Sequence, residues 1–333
     1  MQDIINEFIG GLKLGRKQSY RNLTVFALLS DYTADFDYLT LDEALSGNLI
    51  DVVEKDEAGS VPELKVVNKS GRMVLILDGE ELVGARQNRI VNTTILIAGN
   101  STTLIPVSCV EQGRWSYRSN KFSSEKRLMA GTFRARKAAQ VKLSLKESGR
   151  FCSEQSAIWK QVERMSMQRD AISPSMAMSE IYRKEAPSLE KFVKHFELTD
   201  SQVGAVFMIN GRVAGMDCFG KPDTFSKVFD KLVESYALDA IDSSGRNREK
   251  VKKGAKSDAA KFLGASAGCR VETHNSVGQG IDCRLDADES SGFALAHEKR
   301  VLHMSLFAKA AENERDVPGS RMIRFSHRRR RRF

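Results

Sequence analysis

The sequence predicts an α+β fold with a β-rich N-terminal half, as a sandwich or half-open barrel. A helical middle and a C-terminal α+β part with two echoed hairpins follow. Three observations carry this expectation. Short apolar runs separated by turn residues fill 20–122, and strong helix formers dominate 123–200. In the last third, GAVFMINGRVAGMDCF (204–219) aligns with GFALAHEKRVLHMSLF (292–307) at an offset of 88 residues. Gly204 then falls on Gly292, Arg212 on Arg300 and Phe219 on Phe307.

LTVFALLS (23–30) reads as an apolar strand and LTLDEAL (39–45) as a helical turn. LKVVN (64–68) and RMVLIL (72–77) flank Lys69-Ser70-Gly71, a turn of hairpin length. TTILI (93–97) and STTLIPVSCV (101–110) flank Ala98-Gly99-Asn100 in the same way. Residues 124–148 are rich in long-chain helix formers and stop at Gly149. Residues 153–165 carry a stripe through Ile158, Val162 and Met165. Ser173-Pro174 opens a third helix, which Pro187 breaks or kinks. Asn210-Gly211 is a strong two-residue hairpin signal. Between the echoed segments, Phe225, Val228, Phe229, Leu232, Val233 and Tyr236 fall at helical spacing, and 243–261 is a charged linker or surface loop.

Hydrophobic residues make up 41% of the 333 and charged residues 29%, enough apolar material for a sizeable core without staples. Asp3 and Glu7 stand where a signal peptide would be basic, and no run is long enough to cross a bilayer, so the expected location is cytoplasmic, away from membranes. The five cysteines show no Cys-x-x-Cys spacing, which argues against a zinc ribbon or redox motif. Much of the net charge of +9 comes from the run Arg328 to Arg332. That tail reads as a solvated end; its second reading is weak, salt-sensitive contact with nucleic acid.

Walker, Rossmann, His-Glu-x-x-His and Gly-x-Ser-x-Gly signatures are absent. Two dense polar stretches remain. In 78–92, Asp78, Glu80 and Glu81 crowd together past a buried-looking strand, which suits shifted pKa values or a divalent cation held by oxygen ligands. Arg86, Gln87, Asn88, Arg89 and Asn92 add donors for phosphate or carboxylate. In 108–118, Glu111, Gln112, Arg114, Trp115, Tyr117 and Arg118 combine aromatic rings with guanidinium groups, the pairing that stacks a base while holding its phosphates. The plain alternatives are a capped hairpin loop with surface ion pairs and an ordinary packing anchor. Cys109 reads better as a small buried hydrophobe than as a nucleophile, and Asp217 and His303 as satisfied structural groups. Arg136, Gln140, Ser156 and Trp159 read as helix surface that could also face the site.

Across about 20–308 the chain resembles the family named for its association with ADP-ribosylglycohydrolases and rhodanese-type phosphatases. The resemblance rests on SVPELKVVNKSGRMVLILDGEELVGARQNRIVNTTILI, STTLIPVSCVEQGRWSYRSNKFSS, ARKAAQVKLSL, QVGAVFMINGRVAGMDCF and KLVESYALDA. Segment 243–290 and the basic tail, 309–333, look unlike the family's pattern. The resemblance implies a ligand class, nucleotides or derivatives of ADP-ribose and nicotinamide dinucleotide, in a defence-linked context.

The expectation is therefore one family domain whose parts are 20–122, 123–200 and 201–308. It would act as an enzyme or sensor on a nucleotide or ADP-ribose derivative. Glu80, Glu81 and Glu111 would supply acid–base or metal chemistry. Arg86, Arg89 and Arg114 would hold phosphate, Trp115 and Tyr117 would stack the base, and Asn88 and Asn92 would line the site. The rival is a non-catalytic binding or scaffold module, in one form binding nucleic acid through the tail.

Overall fold

The computed structural model of the protein describes residues 1–56, 59, 62–171, 173–244 and 253–309. The run Arg328 to Arg332 and part of the expected linker lie outside the described residues. The chain opens with α1 (Gln2–Gly10), β1 (Lys13–Tyr20) and β2 (Leu23–Leu29). The β-rich half continues through β3 (Tyr38–Thr40), α2 (Leu41–Ser46), β4 (Ile50–Glu54), β5 (Glu63–Asn68) and β6 (Met73–Ile76). It goes on through β7 (Glu80–Gly84), β8 (Arg89–Val91), β9 (Ile95–Ile97), β10 (Ser101–Cys109) and β11 (Phe122–Leu128). Three helices follow, α3 (Gly131–Ser148), α4 (Gln155–Gln168) and α5 (Met178–Val193). Next come β12 (Gln202–Ile209), β13 (Arg212–Phe219), α6 (Pro222–Ser244), α7 (Lys256–Ser266) and β14 (Arg270–Asn275). The last strands are β15 (Ile281–Asp286), β16 (Ser290–His297) and β17 (Arg300–Ala308).

The fold is mixed α+β with a strand-rich N-terminal half. β11-β7-β8-β10-β5-β4 form a six-stranded sheet and β3-β6-β9 a three-stranded one. The larger sheet curls so far that Lys121, beside the edge strand β11, reaches Asp51 of the other edge strand, β4, at 2.8 Å. An aliphatic core fills this half, including Val52, Val66, Ile76, Leu82, Val91 and Ile105. α2 starts at a capping box: the Thr40 side chain accepts from Glu43 N–H while the Glu43 carboxylate accepts from Thr40.

The third sheet has eight strands in the order β1-β2-β12-β13-β17-β16-β15-β14. One face packs on α6 through Ala205, Phe207, Phe225, Leu232 and Tyr236. The other carries Val206, Met216 and Met304, which pack with Ile5 and Phe8 of α1 and Phe262 of α7. The echoed segments are the hairpins β12–β13 and β16–β17, joined through β13 and β17. Both turn on two residues with positive φ, Asn210-Gly211 and Glu298-Lys299. The pairing register shifts between Phe207 and Met208 in one hairpin and between Leu295 and Ala296 in the other, again 88 residues apart.

Several local expectations change. β5 and β6 do not pair with each other: β5 joins β10 and β4, while β6 joins β3 and β9. β9 and β10 part in the same way, so each three-residue turn carries the chain between sheets. Asn68 fixes one such corner by donating from its side chain to Arg72 O and Ala98 O at 2.7 and 2.9 Å. The expected helix at 124–148 begins only at Gly131, because residues 122–128 pair with β7, and tertiary pairing overrides helix propensity there. α5 starts at Met178, after Ser173-Pro174 and not at it, and Pro187 lies inside the helix, which runs on to Val193.

Candidate functional site

The stretch 78–92 holds the β7–β8 ribbon, and Ser108 and Cys109 end β10, which pairs with β8. This register brings the two polar stretches together. Asn88 N–H donates to Glu111 Oε2 at 3.0 Å, Val110 N–H to Asn88 O at 3.1 Å and Arg118 N–H to Ala85 O at 2.9 Å. Arg114 fastens the loop after Glu111. Its Nη1 donates to Ala85 O and Ser116 O at 2.6 and 2.9 Å. Its Nη2 reaches Glu111 Oε2 at 2.6 Å, Gly84 O at 3.2 Å and Asn88 Oδ1 at 3.2 Å. These contacts make Arg114 a clasp for the loop.

The acidic residues go to separate partners. Asp78 is wholly buried and receives Lys137 Nζ, while Arg134 Nε stands 3.7 Å away. Burial pushes Lys137 down to about 8 against the pull of Asp78. Glu80 accepts from Lys231, which also reaches Asp42 at 2.9 Å, and from Leu77 N–H at 2.8 Å. Glu111 feels an upward push from burial, but Arg114, Asn88 N–H and Ser175 outweigh it and hold the carboxyl below its ordinary range. Glu81 differs. It is fully buried and neither carboxyl oxygen has a hydrogen-bond partner. Burial, with repulsion from Glu125 and Glu111, pushes its pKa up to about 8 against Arg127 and Arg183. Among the described residues, no group of three or more His, Cys, Asp or Glu side chains is placed to hold a metal ion.

The ring-bearing end of the loop is open. Trp115 and Tyr117 are 46% and 50% exposed, which leaves ring surface for a ligand. The Arg86 guanidinium lies over both rings, 5.6 Å from the Trp115 centroid and 4.5 Å from that of Tyr117. Gly59 packs against Arg86 and Trp115, where a Cβ would stand 2.9 Å from Arg86 Cδ. Beneath Trp115 is Arg89, whose guanidinium is 5.9 Å from the ring and fully buried. Burial lowers its pKa, as it does for any cation taken out of water.

Asn88 and Asn92 act as cross-links. Asn88 accepts from Gly84 N–H and donates to Ser179, both at 3.3 Å. Asn92 donates to Phe151 O at 3.1 Å and accepts from Ser108 at 2.8 Å. Cys109 is buried, donates to Gln87 Oε1 at 3.1 Å and to Glu111 O at 3.2 Å, and its thiol is pushed up by burial. Of the helix-surface residues, Gln140 accepts from Glu154 N–H at 3.1 Å and Ser156 donates to Glu154 Oε1 at 2.7 Å.

The reading from sequence missed the buried cations that answer these acids, Arg134, Lys137 and Lys231. A signal existed for two of them. Arg134 and Lys137 fall in the buried α3 stripe with Phe133, Ala138, Val141 and Leu145, and a charge inside an apolar stripe marks a buried partner. Deeper still, Arg134 bridges to Asp217, which also accepts from Ser305 and Tyr236, while His303 Nδ1 meets Thr94 at 2.8 Å. Asp217 and His303 are thus satisfied structural groups inside the molecule.

Residues 11–307 match the model of one protein family, described as the ARG and Rhodanese-Phosphatase-superfamily-associated Protein domain. Neither the curated proteins nor the solved structures returned a match.

Proposed function

The chain belongs to the ARG and Rhodanese-Phosphatase-superfamily-associated Protein domain family, and we propose that it binds a nucleotide-type ligand, a nucleotide or a derivative of ADP-ribose or nicotinamide dinucleotide. The observation that carries this reading is the outer cluster. Arg86 lies across two half-exposed rings, Trp115 and Tyr117, on a loop that Arg114 and Glu111 hold in place. A flat heterocycle gains from stacking on such rings, and its phosphate gains from the guanidinium beside them. A loop fixed beforehand loses less conformational entropy on binding.

The family's naming alongside ADP-ribosylglycohydrolases points to the same ligand class. Of the three carboxylates expected to carry chemistry, Glu80 is paired with Lys231 and Glu111 with Arg114, so the geometry supports binding more directly than it supports a reaction. Thermal shift at fixed salt with AMP, ADP-ribose and nicotinamide dinucleotide tests the proposal. At least one should raise the melting temperature in the wild type and fail to do so in Arg86→Ala. No shift with any of them at millimolar concentration overturns it.

A further inference from the structure

Beneath the outer cluster, two buried side chains of opposite charge are held apart. Arg89 Nη1 donates to Gln87 O and Gln87 Oε1, both at 3.2 Å, while its Nε and Nη2 have no hydrogen-bond partner. Glu54 ends β4 with its side chain 4% exposed. Its Oε1 accepts from Arg86 N–H at 3.3 Å and its Oε2 has no partner. The nearest approach of the two groups, Nη2 to Oε1, is 4.0 Å, beyond hydrogen-bonding reach. Gln87 ties Arg89 on its Nη1 side, while the Glu54 oxygen nearest Arg89, Oε1, is the one that accepts from the Arg86 backbone. The Trp115 ring lies 5.9 Å from the Arg89 guanidinium.

Unsatisfied buried donors and acceptors are costly, and their presence on two neighbouring groups, Arg89 Nε and Nη2 and Glu54 Oε2, calls for a molecule that serves both. An anion would meet the donors but be repelled by Glu54. A carbonyl beside an N–H serves both: its oxygen has two lone pairs for Nε and Nη2, and the N–H donates to Oε2. We infer that Arg89 and Glu54 form an inner subsite that reads the amide or lactam edge of the ligand's heterocycle. The inference rests on the proposed nucleotide binding and adds the class of base. A carboxamide, as in nicotinamide, and a lactam, as in hypoxanthine or guanine, share this chemistry. Adenine offers one ring lone pair in place of the carbonyl and leaves a donor unmet. A nicotinate carboxylate places negative charge against Glu54. Sites built this way discriminate strongly, because the wrong ligand strands a buried polar group.

The test is calorimetric titration of the full chain with four mononucleotides: those of nicotinamide, nicotinic acid, hypoxanthine and adenine. Wild type should bind the nicotinamide form at least tenfold more tightly than the nicotinic acid form, and hypoxanthine more tightly than adenine. A stronger response in one of the two preferred forms identifies the source of the edge. Glu54→Gln, nearly isosteric, should erase the nicotinamide-over-nicotinate preference, and circular dichroism would check that it remains folded. Equal binding within both pairs, or a preference that survives Glu54→Gln, overturns the inner subsite and leaves nucleotide binding standing. If a water merely fills the gap, equal binding is what will be seen. No binding of any of the four also overturns the inner subsite, and nucleotide binding itself then stands or falls on the thermal-shift test with ADP-ribose and nicotinamide dinucleotide.

Discussion

The Ser305 hydroxyl of β17 donates to Asp217 of β13, its direct partner across the sheet and the residue that precedes it by 88 in the chain. The same interval separates the two hairpins, so this pair marks the point where they meet. Gly215 faces Phe307 and Phe219 faces His303, and a shift of 88 exchanges those pairs. The central four strands of the eight-stranded sheet are therefore two hairpins related by a local twofold.

That symmetry explains the first aligned glycines. A Cβ on Gly204 would come within 2.5 Å of Asp217 O, and one on Gly292 within 1.9 Å of Ser305 O. Gly292→Ala should sharply lower the yield of folded protein or its melting temperature, because the obstacle is backbone. Gly264→Ala, where a Cβ meets nothing within 4 Å, is the control and should be near neutral. Equal stability of the two variants would contradict the close approach.

Arg134 and Asp217 form a wholly buried ion pair. Arg134→Met should cost about 3–5 kcal/mol by leaving a carboxylate unpaired in the interior. Burial alone would raise the Asp217 carboxyl, but Arg134 and His303 hold it well below its ordinary range. A depressed folded-state pKa gives stability that is full above the unfolded value, near 3.9, and is lost as pH falls below it. Denaturant melts from pH 6 to 2 should show that loss in wild type and a shallower one in Asp217→Asn.

Glu81 has the opposite sign. With a folded pKa of about 8, it keeps a proton that the unfolded chain releases near pH 4–5. Its contribution is fully present below that range and declines as pH rises to about 8, by on the order of 5 kcal/mol in all. Glu81→Gln keeps the shape and removes the titration. It should match wild type near pH 4 and exceed it in stability at pH 9. A wild-type advantage at pH 9 would show that Glu81 is ionised and paired.

Much of the fold was legible because hydrophobic period and turn residues act locally: the β-rich half, the α4 stripe and the Asn210-Gly211 hairpin all followed from short stretches. Strand partnership was not, since β5 and β6 look like a hairpin, and only the distant Asn68 contacts and core packing send them to different sheets. The site divides in the same way. The nearness of 78–92 to 108–118 could be anticipated from their shared character. The fate of each carboxylate could not, because Lys137 and Lys231 stand 59 and 151 residues from Asp78 and Glu80. Glu54, which faces Arg89, drew no notice in the sequence because nothing local distinguishes it from an ordinary strand-end glutamate.

Trp115 sits at the surface, so its loss should affect binding and leave stability nearly unchanged. Trp115→Ala should weaken nucleotide binding by about 1–3 kcal/mol, the usual scale of base stacking, with a melting temperature within a degree or so of wild type. A large fall in melting temperature would instead make the ring a structural plug.

The most direct measurement uses the protein's two tryptophans. In a Trp159→Phe background the remaining emission comes from Trp115, the ring on which the ligand is proposed to stack. Titration with ADP-ribose and nicotinamide dinucleotide should quench that emission saturably with at least one of them. The quench should weaken as salt rises and disappear in Arg86→Ala. Emission unchanged to millimolar ligand, or quenching that persists undiminished without Arg86, would contradict nucleotide binding at this surface.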